Sequence, residues 1–333
     1  MIRTAVIGAG HQGRYHAQKY AALPEAELVA VADVDGGRAR RVAADTGASA
    51  TTDHRELLDQ VDAVSIAAPT SVHHSIARAA LDAGVHVLVE KPVCVTVAAA
   101  EDLVGRARGR GLVLQVGHLE RFNPALRNVE TAIGEPLFIE SHRLAPFKGR
   151  GNDVDVVLDL MIHDIDLIGY LVGSPVESLD ASGTAVLSDS VDIANARLRF
   201  RNGCVANVTA SRVTLKEERK LRIFQPEGYL SLDLHGRRAS IYRRTDGKGE
   251  EGLPGFTVER RCCESSDALE DQISSFLNAV RTESAPLVSG EDGCRALETA
   301  IRITNLVGEP RRAGAGRHEE EEEPWQRVAG LPR

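Results

Sequence analysis

The first 33 residues constrain this chain more than any other stretch. Ile2-Arg3-Thr4-Ala5-Val6-Ile7 reads as a short buried strand, and Gly8-Ala9-Gly10-His11-Gln12-Gly13 follows at once. A helical run comes next, from about Arg14 to Leu23, and Pro24 stops it. A second apolar strand, Leu28 to Ala32, ends in Asp33. Each glycine has its own reason: Gly8 permits a tight turn, Gly10 lets the backbone approach a pyrophosphate, and Gly13 lets the helix pack closely on the strand. The helix start offers free N–H groups to an anion, which makes His11 and Gln12 candidates beside the three glycines. Asp33 lies twenty residues beyond Gly13. A carboxylate there accepts hydrogen bonds from ribose hydroxyls and repels a 2′-phosphate, so NAD is expected over NADP. Arg38 is near enough in sequence to blur that preference.

The alternation then continues. A polar-faced helix is expected over Gly36–Thr46, a short strand over Ala48–Thr51 and an apolar strand over Ala63–Ala68, ending in Pro69-Thr70. Ser71 is a candidate cap for the next helix, which runs through Ala83 with Gly84 at its end. Thr96 precedes an Ala-rich helix to about Arg110, and Leu112–Val116 is a further strand. This regularity predicts an α/β fold, with a doubly wound parallel sheet in the first half. Between those last two strands lies His86-Val87-Leu88-Val89-Glu90-Lys91-Pro92. It reads as a buried strand ended by a proline that cannot continue the ladder. Ligands of open α/β sheets sit just outside such carboxyl ends, which places Lys91 where a substrate meets a cofactor. Taken alone, Glu90-Lys91 reads equally well as a solvated pair. His73 and His74 open a helix, where either a cofactor contact or a solvent-facing position fits.

Length suits about two domains, and 43% hydrophobic residues provide a core. The net charge of -8 argues against nucleic acid or an anionic membrane as partner. The stretch from Arg311 to Arg333 holds five Arg and five Glu, so the acidity belongs to the body of the protein. From Glu309 onward the Gly, Arg and Glu content predicts a disordered tail, including Trp325. Five cysteines with no metal-ligand spacing, no signal peptide and no long apolar run predict free thiols and a cytoplasmic protein.

After Gly117 the rhythm changes, giving domains at 1–118 and 119–308. His118–Pro124 reads as a linker and helix start, Pro136–Pro146 as a long strand, and Asp155–Leu171 as a strongly apolar helix. Val176–Tyr242 alternates in strand fashion, punctuated by Asn202-Gly203, Glu227-Gly228 and His235-Gly236. A mostly antiparallel sheet is expected in an α+β second domain. Two helices, about Asp267–Arg281 and Gly290–Leu306, close the chain. Asp159 and His163 stand at i and i+4, which puts them on one helix face. Ionisable groups on so apolar a helix are costly unless paired or functional. An ion-pair and capping cluster would explain Asp164 well, and an Asp/His face on a buried helix less well.

Glu90-Lys91-Pro92 together with Asp159-x-x-x-His163 resembles the glucose–fructose oxidoreductase / inositol dehydrogenase / rhizopine-catabolism (Gfo/Idh/MocA) family over about residues 1–308. Ala68-Pro69-Thr70 with His73, and Gly117-His118 with Arg121-Phe122-Asn123-Pro124, also fit its pattern. The resemblance implies an oxidoreductase acting on a secondary sugar hydroxyl, with Ala68, Pro69, His73, Glu90 and Lys91 at the cofactor and Asn123 at the substrate. Hydride goes to nicotinamide and the hydroxyl proton must go elsewhere. Histidine titrates near neutrality, so His163 is the natural acceptor. Lys91 would stabilise the developing alkoxide and could share the role of base. Asp159 would orient His163 or hold a neighbouring hydroxyl. No metal is required. The run Ser141–Phe147 continuing through Gly151–Val157 resembles family members that act on UDP-N-acetylglucosamine. Those oxidise its 3-hydroxyl to a ketone, ahead of an aminotransferase, for the 3-amino sugar of some lipid A. Arg121, Arg143, Lys148 and Arg150 are chemically apt for a diphosphate, though surface arginines commonly serve solubility alone. Another nucleotide sugar such as a UDP-hexuronate, a free polyol, or an NAD(H)-sensing role without turnover are the alternatives. Assembly as a homodimer or homotetramer through the second-domain sheet is the family's habit.

Overall fold

The computed structural model of the chain describes residues 1–147, 155–247, 249, 255–263 and 266–308. Lys148, Arg150, the run 151–154 and the tail from 309 lie outside them.

The first half holds six parallel strands: β1 (Ile2–Ile7), β2 (Ala26–Ala32), β3 (Ser49–Thr51), β4 (Ala63–Ile66), β5 (His86–Val89) and β6 (Leu114–Val116). Their order is β3-β2-β1-β4-β5-β6, so the winding reverses between β1 and β4. That reversal opens a crevice at the strands' carboxyl ends. Helices α1 (His11–Ala22), α2 (Gly36–Thr46), α3 (Thr70–Asp82) and α4 (Val97–Arg110) connect the strands. Both faces are covered, which is why Val64, Ile66, Val87, Leu88 and Val89 are all buried. Asp35 caps α2 by accepting from the N–H groups of Gly37 and Arg38, and Thr96 caps α4 through Ala99 N. Ser71 does not cap α3: that helix starts one residue earlier, after Pro69, and has no side-chain cap. Proline fixes the entry angle there without one.

The second half is built on an eight-stranded sheet. Its strands are β7 (Phe138–Leu144), β8 (Val176–Thr184), β9 (Ile193–Phe200), β10 (Val205–Ser211), β11 (Glu218–Gln225), β12 (Gly228–Asp233), β13 (Arg238–Arg244) and β14 (Phe256–Cys262). The order is β14-β13-β12-β11-β7-β10-β9-β8. All pairs are antiparallel except β7 with β10, where Phe138 faces Val205 in parallel register. The sheet is therefore mostly antiparallel, as expected, with one parallel seam that the hairpin signals do not reveal. After a short helix α5 (Pro124–Arg127), the apolar stretch 157–172 lies against the inner sheet face. It begins as a π-turn at Val157–Met161 and continues as α6 (Ile162–Val172). Met161, Ile162, Leu167 and Ile168 pack there with Ile139, Ala196, Val208 and Ile223.

The last two helices return to the first half. Ile273, Phe276 and Leu277 of α7 (Ala268–Thr282) join the core around Val6 and Leu88. On α8 (Gly290–Val307), Leu297 packs with Val87 and Val116, whereas Ala300 and Ile303 pack under the eight-stranded sheet. Residues 119–308 thus contribute to both cores. No helix of the described residues is long and apolar enough to cross a membrane.

Candidate active site

The glycine turn has the close approaches its spacing predicts. Gly8 has φ 98°, and a side chain there would meet Ala67 O at 2.6 Å, just past the end of β4. A Cβ on Gly13 would sit 1.6 Å from the Gly8 carbonyl oxygen, so only glycine lets α1 rest on the turn. Gly10 differs: a Cβ there would meet nothing within 4 Å, so the space above it is open. The first turn of α1 has no side-chain cap, which leaves its N–H groups available to an anion. The Asp33 carboxylate is fixed by Ala9 N at 2.7 Å and Asp35 N at 2.8 Å, one to each oxygen. Each oxygen keeps acceptor capacity for a ribose hydroxyl. Ala9, Gly10, His11, Arg14, Arg38 and Arg41 line a hollow of about 460 Å³ beside it. A dinucleotide fits this set of groups: the α1 N-terminus would hold its pyrophosphate and Asp33 its ribose.

His11 also belongs to a second cleft, of about 610 Å³, which Gln12, Glu90, Lys91, Asp159, His163 and Arg143 line. Its floor is the end of β5; its roof is the π-turn, the start of α6 and the ends of β7 and β10. Lys91 Nζ donates to the main-chain oxygen of Asp159 at 2.6 Å and lies 3.6 Å from its Oδ1. Burial lowers the Lys91 pKa, against the opposing charges of Asp159 and Glu90. Behind Lys91, Glu90 accepts from buried His16 at 3.1 Å. Burial pushes the Glu90 carboxyl up, but the hydrogen bond to His16 and the charges of His16 and Lys91 outweigh it, and its pKa is lowered. His73 is buried with its ring nitrogens 2.8 and 2.9 Å from the carbonyls of Ala68 and Pro92, so it ties two crevice loops together. His74 pairs with Asp102, outside the residues that line the cleft.

His163 lines the cleft, while its Nδ1 is buried without a partner. Its pKa is held well below the ordinary 6.5, first by burial and then by the charges of Lys91, Arg143, His118 and Arg219. A neutral imidazole is a base ready to accept a proton. Asp159 reaches Lys91 and makes no hydrogen bond to His163 among the described residues. The expected i,i+4 pairing assumes regular helix, and the π-turn at Val157–Met161 alters that phase.

Two expected substrate residues lie elsewhere. Arg121 is 3% exposed, pairs through both Nε and Nη2 with Asp166 and donates to Leu287 O. It faces a separate cavity of about 200 Å³ under α6 and α8. Asn123 is buried as the cap of α5, accepting from Ala125 N and donating to Leu234 O. Both side chains are buried on protein partners, and neither is among the residues that line the cleft. Arg143 does line the cleft, but Asp164 takes its Nε and Nη2 and Glu120 takes its Nη1. Lys148 and Arg150 fall outside the described residues. The sequence reading missed Glu120, Arg212 and Arg219, which share the cleft wall. No spacing signals them, because they come from three separate places: a short turn over Leu119–Phe122, the end of β10 and the start of β11. Among the described residues no group of His, Cys, Asp or Glu is placed to hold a metal ion.

A glycine turn at the reversal of a parallel sheet, opening onto a lysine–histidine cleft roofed by a second sheet, defines a two-domain dinucleotide-dependent oxidoreductase. Comparison with known proteins agrees. Residues 2–118 match the model of an oxidoreductase family with an NAD-binding Rossmann fold, and residues 129–241 match the GFO/IDH/MocA C-terminal domain. The chain belongs to the Gfo/Idh/MocA oxidoreductase family. It is 42% identical to the UDP-N-acetylglucosamine 3-dehydrogenase of Acidithiobacillus ferrooxidans over 92% of this chain and 97% of that protein. The solved structure of that dehydrogenase superposes with a TM-score of 0.88, again over 92% and 97% of the two chains. The myo-inositol 2-dehydrogenase of Thermotoga maritima is 29% identical over 89% of this chain and 93% of that one.

Proposed function

We propose that this NAD-dependent oxidoreductase oxidises the 3-hydroxyl of UDP-N-acetylglucosamine to a ketone. One observation carries the chemistry: Lys91 from the first sheet and His163 from α6 line the same cleft, beside the glycine turn. The end-to-end likeness to a dehydrogenase of that sugar carries the substrate. NAD, once bound, supplies the hydride acceptor. The rest belongs to the chain. Lys91 donates an N–H to the hydroxyl oxygen and offsets its growing negative charge. His163 accepts the hydroxyl proton. The Asp159 carbonyl holds the Lys91 ammonium in place.

The ketone formed is suited to amino-group transfer, which puts the enzyme in the route to a 3-amino sugar of lipopolysaccharide. A nucleotide sugar and NAD are both cytoplasmic metabolites, so the cytoplasm is its proposed location. The outer sheet face supports self-association. Phe138, Phe224 and Tyr229 form an aromatic row there, and Tyr229 also meets Tyr242 and Phe256, with contacting rings 4.0 to 6.3 Å apart. A second copy would cover apolar area of this kind.

The test is NADH formation by the purified chain with UDP-N-acetylglucosamine, a UDP-hexuronate and myo-inositol in parallel. Fastest turnover of the first is expected. Preference for the free polyol would move the substrate to the inositol branch, and tight NAD binding without turnover of any sugar would leave a sensor.

A further inference from the structure

His118 is a buried imidazole that the chemistry above does not use. It is 1% exposed, and neither ring nitrogen has a hydrogen-bond partner. Buried polar groups without partners are rare because leaving them unpaired is costly, so each calls for an explanation. His118 follows β6 and Gly117 at the carboxyl edge of the first sheet. Its neighbour across the domain junction is His163: the rings meet edge to face, 89° apart in plane, with centroids separated by 6.4 Å. His163 has a matching deficiency in its buried Nδ1. Two unsatisfied imidazoles side by side, one of them lining the cleft, form an incomplete pair.

We infer that His118 is a positioning residue for His163, accepting the Nδ1–H of that ring when the sugar's proton arrives at Nε2. This rests on the dehydrogenase reading above. In the step, the O–H bond breaks, its proton forms the Nε2–H bond, and the two electrons of the C–H bond leave with the hydride to NAD. The Nδ1–H of His163 stays on that ring and is only donated. The acceptor holds His163 in the Nδ1–H tautomer, with Nε2 free to act as base, and stabilises the imidazolium once formed. Among the described residues both nitrogens of His118 and the Nδ1 of His163 are without hydrogen bonds, so a rotation that closes the gap gives up none there. The charged groups around His118 are Asp166, Arg121, Lys91 and Glu90, of mixed sign. Lys91, Arg143, His118 and Arg219 act most strongly on His163, and the carboxylates of Glu90, Glu120, Asp159 and Glu217 line the same cleft. None of those carboxylates makes a hydrogen bond to His163 among the described residues, and the ring that its unpartnered Nδ1 has beside it is His118.

Substitution and spectroscopy test this together. In His118→Phe, kcat should fall by about tenfold or more, while NAD affinity is unchanged. The acid limb of its pH profile should move to lower pH, because an imidazolium without its acceptor loses a proton more easily. His118→Gln, which keeps a carbonyl acceptor, should recover much of the rate and return the limb. A loss shared equally by both variants with an unmoved limb, or wild-type behaviour in His118→Phe, overturns the assignment. Nitrogen NMR of the wild-type His163 ring with NAD bound gives a second reading that needs neither a folded variant nor turnover. A protonated Nδ1 in the neutral ring supports the pair; a protonated Nε2 overturns it. Failure of the wild-type protein to oxidise any sugar would instead remove the dehydrogenase reading, and the NMR result would still decide the pairing.

Discussion

Lys91 Nζ reaches the main-chain oxygen of Asp159 at 2.6 Å across 68 residues of sequence, and so joins the two halves of the molecule in the cleft that both residues line. A main-chain acceptor is a durable choice. It holds the ammonium whatever the Asp159 side chain does, while Oδ1 at 3.6 Å adds charge more than geometry. The π-turn at Val157–Met161 belongs to this arrangement, since the Asp159 carbonyl lies within it. Irregular turns of this kind in helices gather at functional sites because they expose backbone groups that a regular helix consumes.

The separation of those two roles is measurable in Asp159→Asn. The carbonyl contact survives, so substrate still turns over, more slowly than in the parent but faster than in any Lys91 variant. The charge of Asp159 raises the Lys91 pKa. Removing it should shift the alkaline limb of kcat to lower pH. An alkaline limb that stays in place would show that the carboxylate does not act on Lys91.

The pH profile of kcat/KM for the parent enzyme follows from the same two groups. His163 must be neutral to accept a proton, so activity is lost as pH falls through its pKa. Burial and the nearby cations put that pKa well below 6.5, and the acid limb should lie there. Lys91 must be protonated to donate, so activity is lost as pH rises through its pKa, which burial puts below 10.5. The two limbs describe the coupled site rather than either group alone. An acid limb at or above 6.5 would contradict a buried neutral base.

Arg121 and Arg143 should part company when each is cut to alanine. Each leaves a buried carboxylate partner uncompensated, Asp166 or Asp164, at a cost of about 3–5 kcal/mol. Both variants should melt early. Arg121 does not line the cleft, so Arg121→Ala should keep its KM for the sugar wherever it remains folded. A raised KM with unaltered melting would return Arg121 to the substrate.

The glycine turn offers a matched pair. Gly10→Ala adds a methyl into open space and should melt like the parent. It should bind NAD about tenfold more weakly, or about 1.4 kcal/mol, if that space is where the pyrophosphate lies. Gly13→Ala forces a carbon onto the Gly8 carbonyl and should destabilise by about 1–3 kcal/mol or more. Calorimetry with and without NAD separates the two, and equal NAD affinity in Gly10→Ala would contradict the assigned position.

What the sequence made legible was local. The Gly8–Gly13 turn, Asp33 at the end of β2 and Lys91 at the end of β5 all announce themselves within a few residues, because turn chemistry and strand ends are short-range properties. What stayed hidden was long-range. Arg121 looked like a phosphate ligand because its partner Asp166 lies 45 residues away. Asn123 matched a family pattern but serves as a cap. The return of Phe276 to the core around Val6 leaves no mark in hydrophobic periodicity. His118 read as linker, since nothing near it in sequence shows that His163 will lie beside it.

The most direct test of the account is the rate of NADH formation from UDP-N-acetylglucosamine by the parent, Lys91→Met and His163→Gln, with NAD affinity measured on the same preparations. The parent should turn over, and each variant should lose about 100-fold or more in kcat while binding NAD as before. Parent-like rates in either variant, or a parent that forms no NADH from this sugar, would contradict it.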